Sequence, residues 1–282
     1  MGKVVIVTDS TAYIPPEFVL RFGLRIVPLS LIWGDTVYRD GVDISPDEFY
    51  ARLKTAKVMP STSQITPEEL KKVFAPITAA GNAVLGVFIS SKLSGTMESA
   101  IQAKAALGRV PIELVDSFSS AMALGFPVLA AARAVQGGAD LAEAAAVARK
   151  AVECSGVIFV VDTLEFLHRG GRIGGAKRFV GTALNLKPLL EVQDGKVEAI
   201  ESVRTKTKAT ERLLDLIAQR IGTRRPVRLS PLHAFAEEEA KALLDSAVAR
   251  FHPEECFLSE TSPVIGTHIG PGTIGIAYCA GI

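Results

Sequence analysis

Residues 82–107 constrain this chain more than any other stretch. They begin Asn82-Ala83-Val84-Leu85-Gly86-Val87-Phe88-Ile89, an apolar run of the kind found in a strand buried on both faces. Thr96 to Leu107 follows, poor in β-branched residues and rich in helix formers. Between them lies Ser90-Ser91-Lys92-Leu93-Ser94-Gly95-Thr96, a hydroxyl-rich turn with one glycine. A strand feeding a loop that opens a helix gathers free backbone N–H groups and the positive helix end, so it can hold an anion. Gly95 would let the anion approach the backbone. The plainer alternative is an N-cap, with Ser94 or Thr96 satisfying the helix end and binding nothing. Both readings stand on the loop alone.

The rest of the chain repeats this alternation. Val4 to Val7 reads as a buried strand, followed by a short helix opened by Pro15-Pro16 and closed near Gly23. Arg25 to Trp33 reads as one strand and Gly34-Asp35 as a turn. Ser45-Pro46-Asp47-Glu48 and Thr66-Pro67-Glu68-Glu69 are capping boxes opening two helices, to about Thr55 and Gly81. Met59 to Thr66 reads as a polar loop between them. Ile112 to Val115 is a strand, and helices follow over Ala121 to Val135 and on through Cys154. Strands alternating with helices predict βαβ units and a mostly parallel sheet.

After Gly156 the character changes. A strand over Val157 to Val161 and a short helix over Thr163 to Leu167 precede a basic glycine-rich segment, Arg169 to Arg178. Leu186 to Val192 and Val197 to Val203 flank Gln193-Asp194-Gly195-Lys196, a hairpin signal that predicts antiparallel pairing. Helices over Thr207 to Ile221 and Ala236 to Phe251, with strands over Val227 to Phe235 and Gly275 to Cys279, complete the reading. The expected architecture is α/β in two domains, residues 1–155 with the parallel sheet and 156–282 with a mixed or antiparallel one. Asp9-Ser10-Thr11, Ser90-Ser91 and Asp116-Ser117 each end a strand, and ligands of open α/β sheets sit beyond such ends. With Thr62 and Ser63 they are expected to form one site.

Several function classes are excluded. With 282 residues and 48% hydrophobic content the chain can build a large core, and its net charge of +1 recruits neither nucleic acid nor anionic membrane. Cys154, Cys256 and Cys279 form no metal or redox spacing, which fits a reducing cytoplasm. The N-terminus has too short an apolar run for a signal peptide, and Ile6 stands where a Met1-Gly2 myristoylation start needs Ser or Thr. The longest apolar block, Ala121 to Ala132, is interrupted by Gly125 and Pro127 and too short to span a bilayer. Any lipid handled must therefore be carried inside the protein.

The chemistry left is sparse. Gly270-Pro271-Gly272-Thr273-Ile274-Gly275 matches a dinucleotide pattern, yet no helix or acidic residue follows at the needed distance, and there is no Walker loop. His168, His233, His252 and His268 show no ligand spacing, so no metal is expected. The basic segment reads as a solvated loop or a partner-docking surface. Ser94 with His268 and Asp9 or Asp116 could supply a hydrolase triad, without the usual nucleophile elbow. An autonomous serine-dependent lipid hydrolase using Ser94 and His268 is thus the alternative reading.

Taken together, seven motifs resemble the DegV family over nearly the whole chain. They are Thr8-Asp9-Ser10-Thr11-Ala12, Thr62-Ser63-Gln64, Ser90 to Thr96, Asp116-Ser117, Gly170-Gly171-Arg172-Ile173, Leu186-Lys187-Pro188-Leu189 with Val203-Arg204, and Gly266-Thr267-His268-Ile269-Gly270-Pro271-Gly272. The better understood members are the FakB subunits of bacterial fatty acid kinase. The resemblance implies one long-chain fatty acid of the palmitate, oleate or stearate class, buried between two α/β domains. Its carboxylate is then held by Thr62, Ser94 and the Gly95 N–H, with His268 nearby. Ser63, Thr96, Arg172 and Arg204 become secondary or partner-facing residues. It further implies a carrier that is not catalytic alone and has no cofactor of its own, presenting the acid to a FakA-type kinase that brings ATP and magnesium. Ile65 stands where many members have proline, and Gly174-Gly175 replaces a more varied pair; both are expected only to adjust loop shape.

Overall fold

The computed structural model describes residues 2–180 and 186–282, which leaves Met1 of the N-terminal reading outside the described residues. The first strand, β1 (Val4–Asp9), leads through a tight turn over Ser10–Ala12 into α1 (Pro16–Phe22), which Gly23 ends at φ +62°. Strands β2 (Arg25–Val27), β3 (Ser30–Trp33) and β4 (Thr36–Arg39) precede α2 (Pro46–Leu53), β5 (Ser61–Ser63) and α3 (Pro67–Ala79). Both expected capping boxes are formed: Ser45 Oγ accepts the Glu48 N–H and Thr66 Oγ1 the Glu69 N–H, each Glu returning to its cap. Then come β6 (Ala83–Phe88), α4 (Thr96–Leu107), β7 (Ile112–Asp116), α5 (Met122–Gln136) and α6 (Leu141–Cys154). The later part holds β8 (Ser155–Val160), α7 (Glu165–Arg169), β9 (Lys187–Gln193), β10 (Lys196–Val203), α8 (Lys206–Ile221) and β11 (Val227–His233). It closes with α9 (Glu237–Phe251), β12 (Glu255–Cys256), β13 (Ser259–Glu260), α10 (Pro263–Ile269) and β14 (Ile274–Ala280).

These strands form three sheets. One is parallel, in the order β2-β1-β6-β7. A second runs β10-β9-β8-β14-β11-β12, with β13 also on β11; it is antiparallel except where β12 and β13 meet β11. The third is a small antiparallel sheet, β4-β3-β5. The α/β class, the parallel N-terminal sheet and the mixed C-terminal sheet agree with expectation.

The third sheet corrects two readings. Arg25 to Trp33 is not one strand, because Pro28 breaks it: β2 joins the parallel sheet while β3 turns away to pair with β4 and β5. The supposed loop at Met59 to Thr66 contains β5, whose Thr62 pairs with Leu31. It consists of Ser and Thr at an edge, with no apolar alternation to announce it. Pro231, by contrast, is tolerated inside β11. The neighbouring chain is interrupted between β12 and β13 opposite it, where no proline N–H is needed.

Helix α5 explains the longest apolar block of the sequence. Met122 to Leu129 is buried without interruption, because α5 packs on β1 and β6 of the parallel sheet and on β8 and β14 of the mixed one. A helix covered on all sides is apolar all round. Among the described residues no helix is long and apolar enough to cross a membrane. Since α5 serves both sheets, Leu124→Ala, at a site with no solvent exposure, should cost about 2–5 kcal/mol of unfolding free energy in urea titration. A loss below about 1 kcal/mol would show that the two sheets do not share this layer.

Candidate functional site

The parallel and mixed sheets do not close on each other completely. Between them lies a cavity of about 210 Å³. Ile89, just beyond β6, and Ala121, just before α5, line one side. Val157 and Phe159 of β8, Val192 of β9 and Val197 of β10 line the other. Helix α10 closes it with Val264, Ile265, His268 and Ile269. The polar lining comes from Thr62, Ser63 and Gln64 of the β5 segment, Ser94 and Gly95 before α4, Arg172 after α7 and His268 of α10, with Ser120 and Thr261 besides. Thr62, Arg172 and His268 also border a second cavity of about 240 Å³, so they mark one end of the first.

At that end Thr62 Oγ1 and His268 Nε2 are 2.8 Å apart. His268 Nδ1 is buried and has no hydrogen-bond partner among the described residues; it faces Gly170, where an added Cβ would sit 2.1 Å away. Gly170 is thus a glycine because the imidazole occupies its side-chain space. A ring nitrogen without an acceptor is assigned as the lone-pair nitrogen, which places the proton on Nε2. Nε2–H then donates to Thr62 Oγ1, and the Thr62 hydroxyl proton is left to point at a ligand. Burial first, and the positive Arg172 second, push the His268 pKa down to about 4. The ring is neutral at ordinary pH.

Arg172 joins the loops around this pair. Its Nε donates to the Leu93 carbonyl at 3.1 Å and its Nη1 to the Gly170 carbonyl at 2.8 Å. The Leu93-Ser94 turn and the Gly170 turn are therefore clamped to one guanidinium, which also lines the cavity. Ser94 Oγ sits 3.0 Å from Thr96 Oγ1 and accepts the Thr96 N–H at 3.3 Å, so it caps α4 while facing the cavity.

Helix α10 owes its position to a residue that sequence reasoning missed. Asp40 is buried, accepts the Ser10 hydroxyl at 2.7 Å, and accepts the Val264 N–H at 3.1 Å in the first turn of α10. Burial, only partly offset by these hydrogen bonds, pushes its pKa up to about 6. The helix itself was also missed, although Ser262-Pro263 is a start signal of the kind used elsewhere. Gln64, which follows Thr62 and Ser63, shapes the neighbouring loop. Its amide fills the place of a Gly95 side chain, where a Cβ would lie 1.9 Å from Oε1, and its Nε2 donates to Ser99 Oγ at 3.0 Å.

Gly95 has an ordinary φ of −76°, and its missing side chain makes room for Gln64. Other expectations need correction. The polar strand ends do not form one site with Thr62 and Ser63, because their groups are used to close loops. Asp9 accepts the Thr11 N–H, the Thr11 hydroxyl and the Ile89 N–H. Asp116 accepts the Phe118 N–H at 2.8 Å, and Ser90 Oγ donates to the Gly195 carbonyl at 2.8 Å. Of the residues expected to be secondary or partner-facing, Ser63 and Arg172 line the cavity, Thr96 is buried beside Ser94 and outside the lining, and Arg204 is exposed just after β10 and outside the lining. The hydrolase constellation is not assembled: His268 contacts Thr62 rather than Ser94, and neither Asp9 nor Asp116 reaches its Nδ1. Gly174-Gly175 does more than adjust a loop, since a Cβ at Gly174 would meet the Val197 carbonyl at 2.1 Å.

A parallel and a mixed sheet enclosing a mostly apolar cavity, with hydrogen-bonding groups gathered at one end, have the form of a small-molecule binding site. The family model described as "Uncharacterised protein, DegV family" matches residues 3–281, and the chain belongs to that family. A DegV domain-containing protein of Streptomyces coelicolor is 38% identical over 275 residues, covering 97% of each chain. Among solved structures, a DegV family protein from Thermus thermophilus described for fatty acid binding superposes with a TM-score of 0.93 at 35% identity, covering 99% of both chains. DegV from Bacillus subtilis, described as a fatty acid binding protein, gives 0.90 at 31% identity, covering 99% of this chain and all of that one (100%).

The His268 environment is directly testable. In the folded protein its Hε1 NMR resonance should stay at the neutral-imidazole position from about pH 8 to pH 5. Because folding depresses this pKa from 6.5 to about 4, His268 adds stability that is complete above pH 6.5 and is lost as pH falls toward 4. A midpoint at or above 6.5 would overturn the buried geometry.

Proposed function

We propose that this protein binds one long-chain fatty acid in the cavity between its sheets, with the carboxylate at the Thr62, Ser94 and His268 end. The observation that carries this reading is the lining of the cavity: Thr62, Arg172 and His268 lie at the end shared with the second cavity, and apolar side chains make up most of the remaining wall. A carboxylate accepts several hydrogen bonds, and the Thr62 hydroxyl, the Ser94 hydroxyl and the N–H groups at the start of α4 supply them. An acyl chain gains about 0.8 kcal/mol per methylene removed from water, so the apolar walls provide most of the affinity. The fatty acid binding described for the relatives from Thermus thermophilus and Bacillus subtilis supports the same ligand class.

The finer part of the proposal is that the bound acid is presented to a separate ATP-dependent fatty acid kinase. The cavity of about 240 Å³ on the far side of Thr62, Arg172 and His268 supports it. That cavity is bordered by the exposed Arg169 and gives a route to the carboxylate that leaves the acyl chain in place. The kinase would attach the phosphoryl group to the carboxylate, and this chain would bind and orient the acid without reacting itself.

Native mass spectrometry of the purified protein should show a fatty-acid mass, and Thr62→Ala with Ser94→Ala should lose it while the melting temperature stays within a few degrees. Full lipid occupancy in that double variant would refute the carboxylate site. With magnesium, ATP and a purified fatty acid kinase catalytic subunit, hydroxylamine should trap acyl-hydroxamate. No turnover above a kinase-only control would remove the presentation role.

A further inference from the structure

The donors at the carboxylate end come from different layers of the fold. Thr62 lies on β5, an edge of the small antiparallel sheet, where it pairs with Leu31. Ser94 and Gly95 lie between β6 of the parallel sheet and α4. Hydroxyls and N–H groups from two such segments can share one carboxylate only if the segments keep a fixed spacing. Gly95 is the weak point of that arrangement. It stands just before α4, gives the helix no side-chain cap, and has the widest backbone freedom of any residue type. Its φ of −76° is one that alanine adopts without strain, so the backbone itself does not call for glycine.

The side-chain space of Gly95 is filled from the other segment. A Cβ there would lie 1.9 Å from Gln64 Oε1, 2.5 Å from Cδ and 2.7 Å from Nε2, so the whole amide covers the glycine. The same amide is tethered one turn further along α4, where Nε2 donates to Ser99 Oγ at 3.0 Å. Ser99 is buried and outside the cavity lining, and its N–H donates to the Gly95 carbonyl at 3.0 Å. Gln64 itself is exposed, two residues beyond Thr62, and its amide reaches inward from there. Arg172 holds the turn at Leu93, and Gln64 holds it at Gly95.

We propose that Gln64 is a positioning residue for head-group binding: its amide replaces the side chain that Gly95 lacks and fixes the Ser94–Gly95 turn against the strand that carries Thr62. The inference rests on the fatty-acid reading above and adds the device that sets its donors. A local side chain at residue 95 would stiffen the turn alone. A filler reaching over from the Thr62 segment stiffens the turn and couples it to Thr62 at once. Without the filler, a glycine-hinged turn lets its donors point in several directions. Ordering them again on binding penalises a carboxylate, which uses several donors, more than a head group that needs one.

The test compares palmitate with hexadecanol, which has a tail of the same length and no charge, by displacement of a fluorescent fatty acid from the full-length protein. Gln64→Ala should weaken palmitate about tenfold, the equivalent of one hydrogen bond to a charged group, and hexadecanol by less than about twofold. Gln64→Met fills the same space without an amide and should keep palmitate within about threefold of wild type. Gly95→Ala should also weaken palmitate, because its Cβ expels the amide. Added to Gln64→Ala, it should cause no further loss, since the amide is no longer there to be expelled. Melting curves show that each variant is folded, and if Gly95→Ala alone is not, the comparison of Gln64→Ala with the double variant carries the test. Folded Gln64→Ala with the wild-type palmitate-to-hexadecanol ratio would overturn the role of Gln64 while leaving fatty-acid binding intact. So would Gln64→Met as weak as Gln64→Ala, which would make the amide a direct contact of the head group, or a further loss on adding Gly95→Ala. A wild-type protein that takes up neither palmitate nor hexadecanol would overturn the ligand reading itself, and this inference with it.

Discussion

Thr62 and His268 lie 206 residues apart and meet at 2.8 Å. That contact joins an edge strand of the small antiparallel sheet to the last helix of the chain, across the gap between the larger sheets. Its geometry depends on parts that are themselves distant. Gly170 leaves room for the imidazole, Arg172 ties the Gly170 and Leu93 turns together, and Asp40 holds the first turn of α10. A hydroxyl is a useful donor only if its proton has one direction to point in. Here a neutral imidazole donating to Thr62 leaves it that direction.

Neutrality at this end is a product of burial. A charged imidazole among apolar walls loses its hydration, and the neighbouring Arg172 opposes it further, so His268 takes a second proton only in acid. The same desolvation raises the pKa of Asp40, which is compensated by a hydroxyl and a backbone N–H instead of a counter-ion. Positioning by buried neutral groups keeps the wall dry while leaving Arg172 at the rim. In a site of this type the head group is fixed by direction and the affinity comes from hydrocarbon contact.

The helix that makes the cavity possible is α5. It is the layer common to both sheets, and the residue before it, Ala121, lines the cavity at φ +54°, a conformation that costs a non-glycine residue energy. The packing around α5 over-determines that conformation: Met122 to Leu129 is fully enclosed. A helix held this firmly on two faces keeps the sheets at a constant spacing, which preserves the bore between them.

Much of this was legible in the chain itself. Hydrophobic runs, capping boxes and the Asp194-Gly195 turn determined the α/β class, the order of most elements and the β9–β10 hairpin, because these are local consequences of backbone preference and periodicity. The motif residues Thr62, Ser94, Arg172 and His268 were also legible, as members of a resemblance. What only the tertiary structure decided is how they are related. Strand β5 is invisible as a strand because its stability comes from pairing with β3, and the hydroxyls of Asp9-Ser10-Thr11 and Ser90 look like ligand donors until the loops they close are seen. Asp40 carried no signal, since an acid beside a glycine is commonplace. Its role arises from contacts across long sequence separations, and those contacts exist only once the chain has closed around α5.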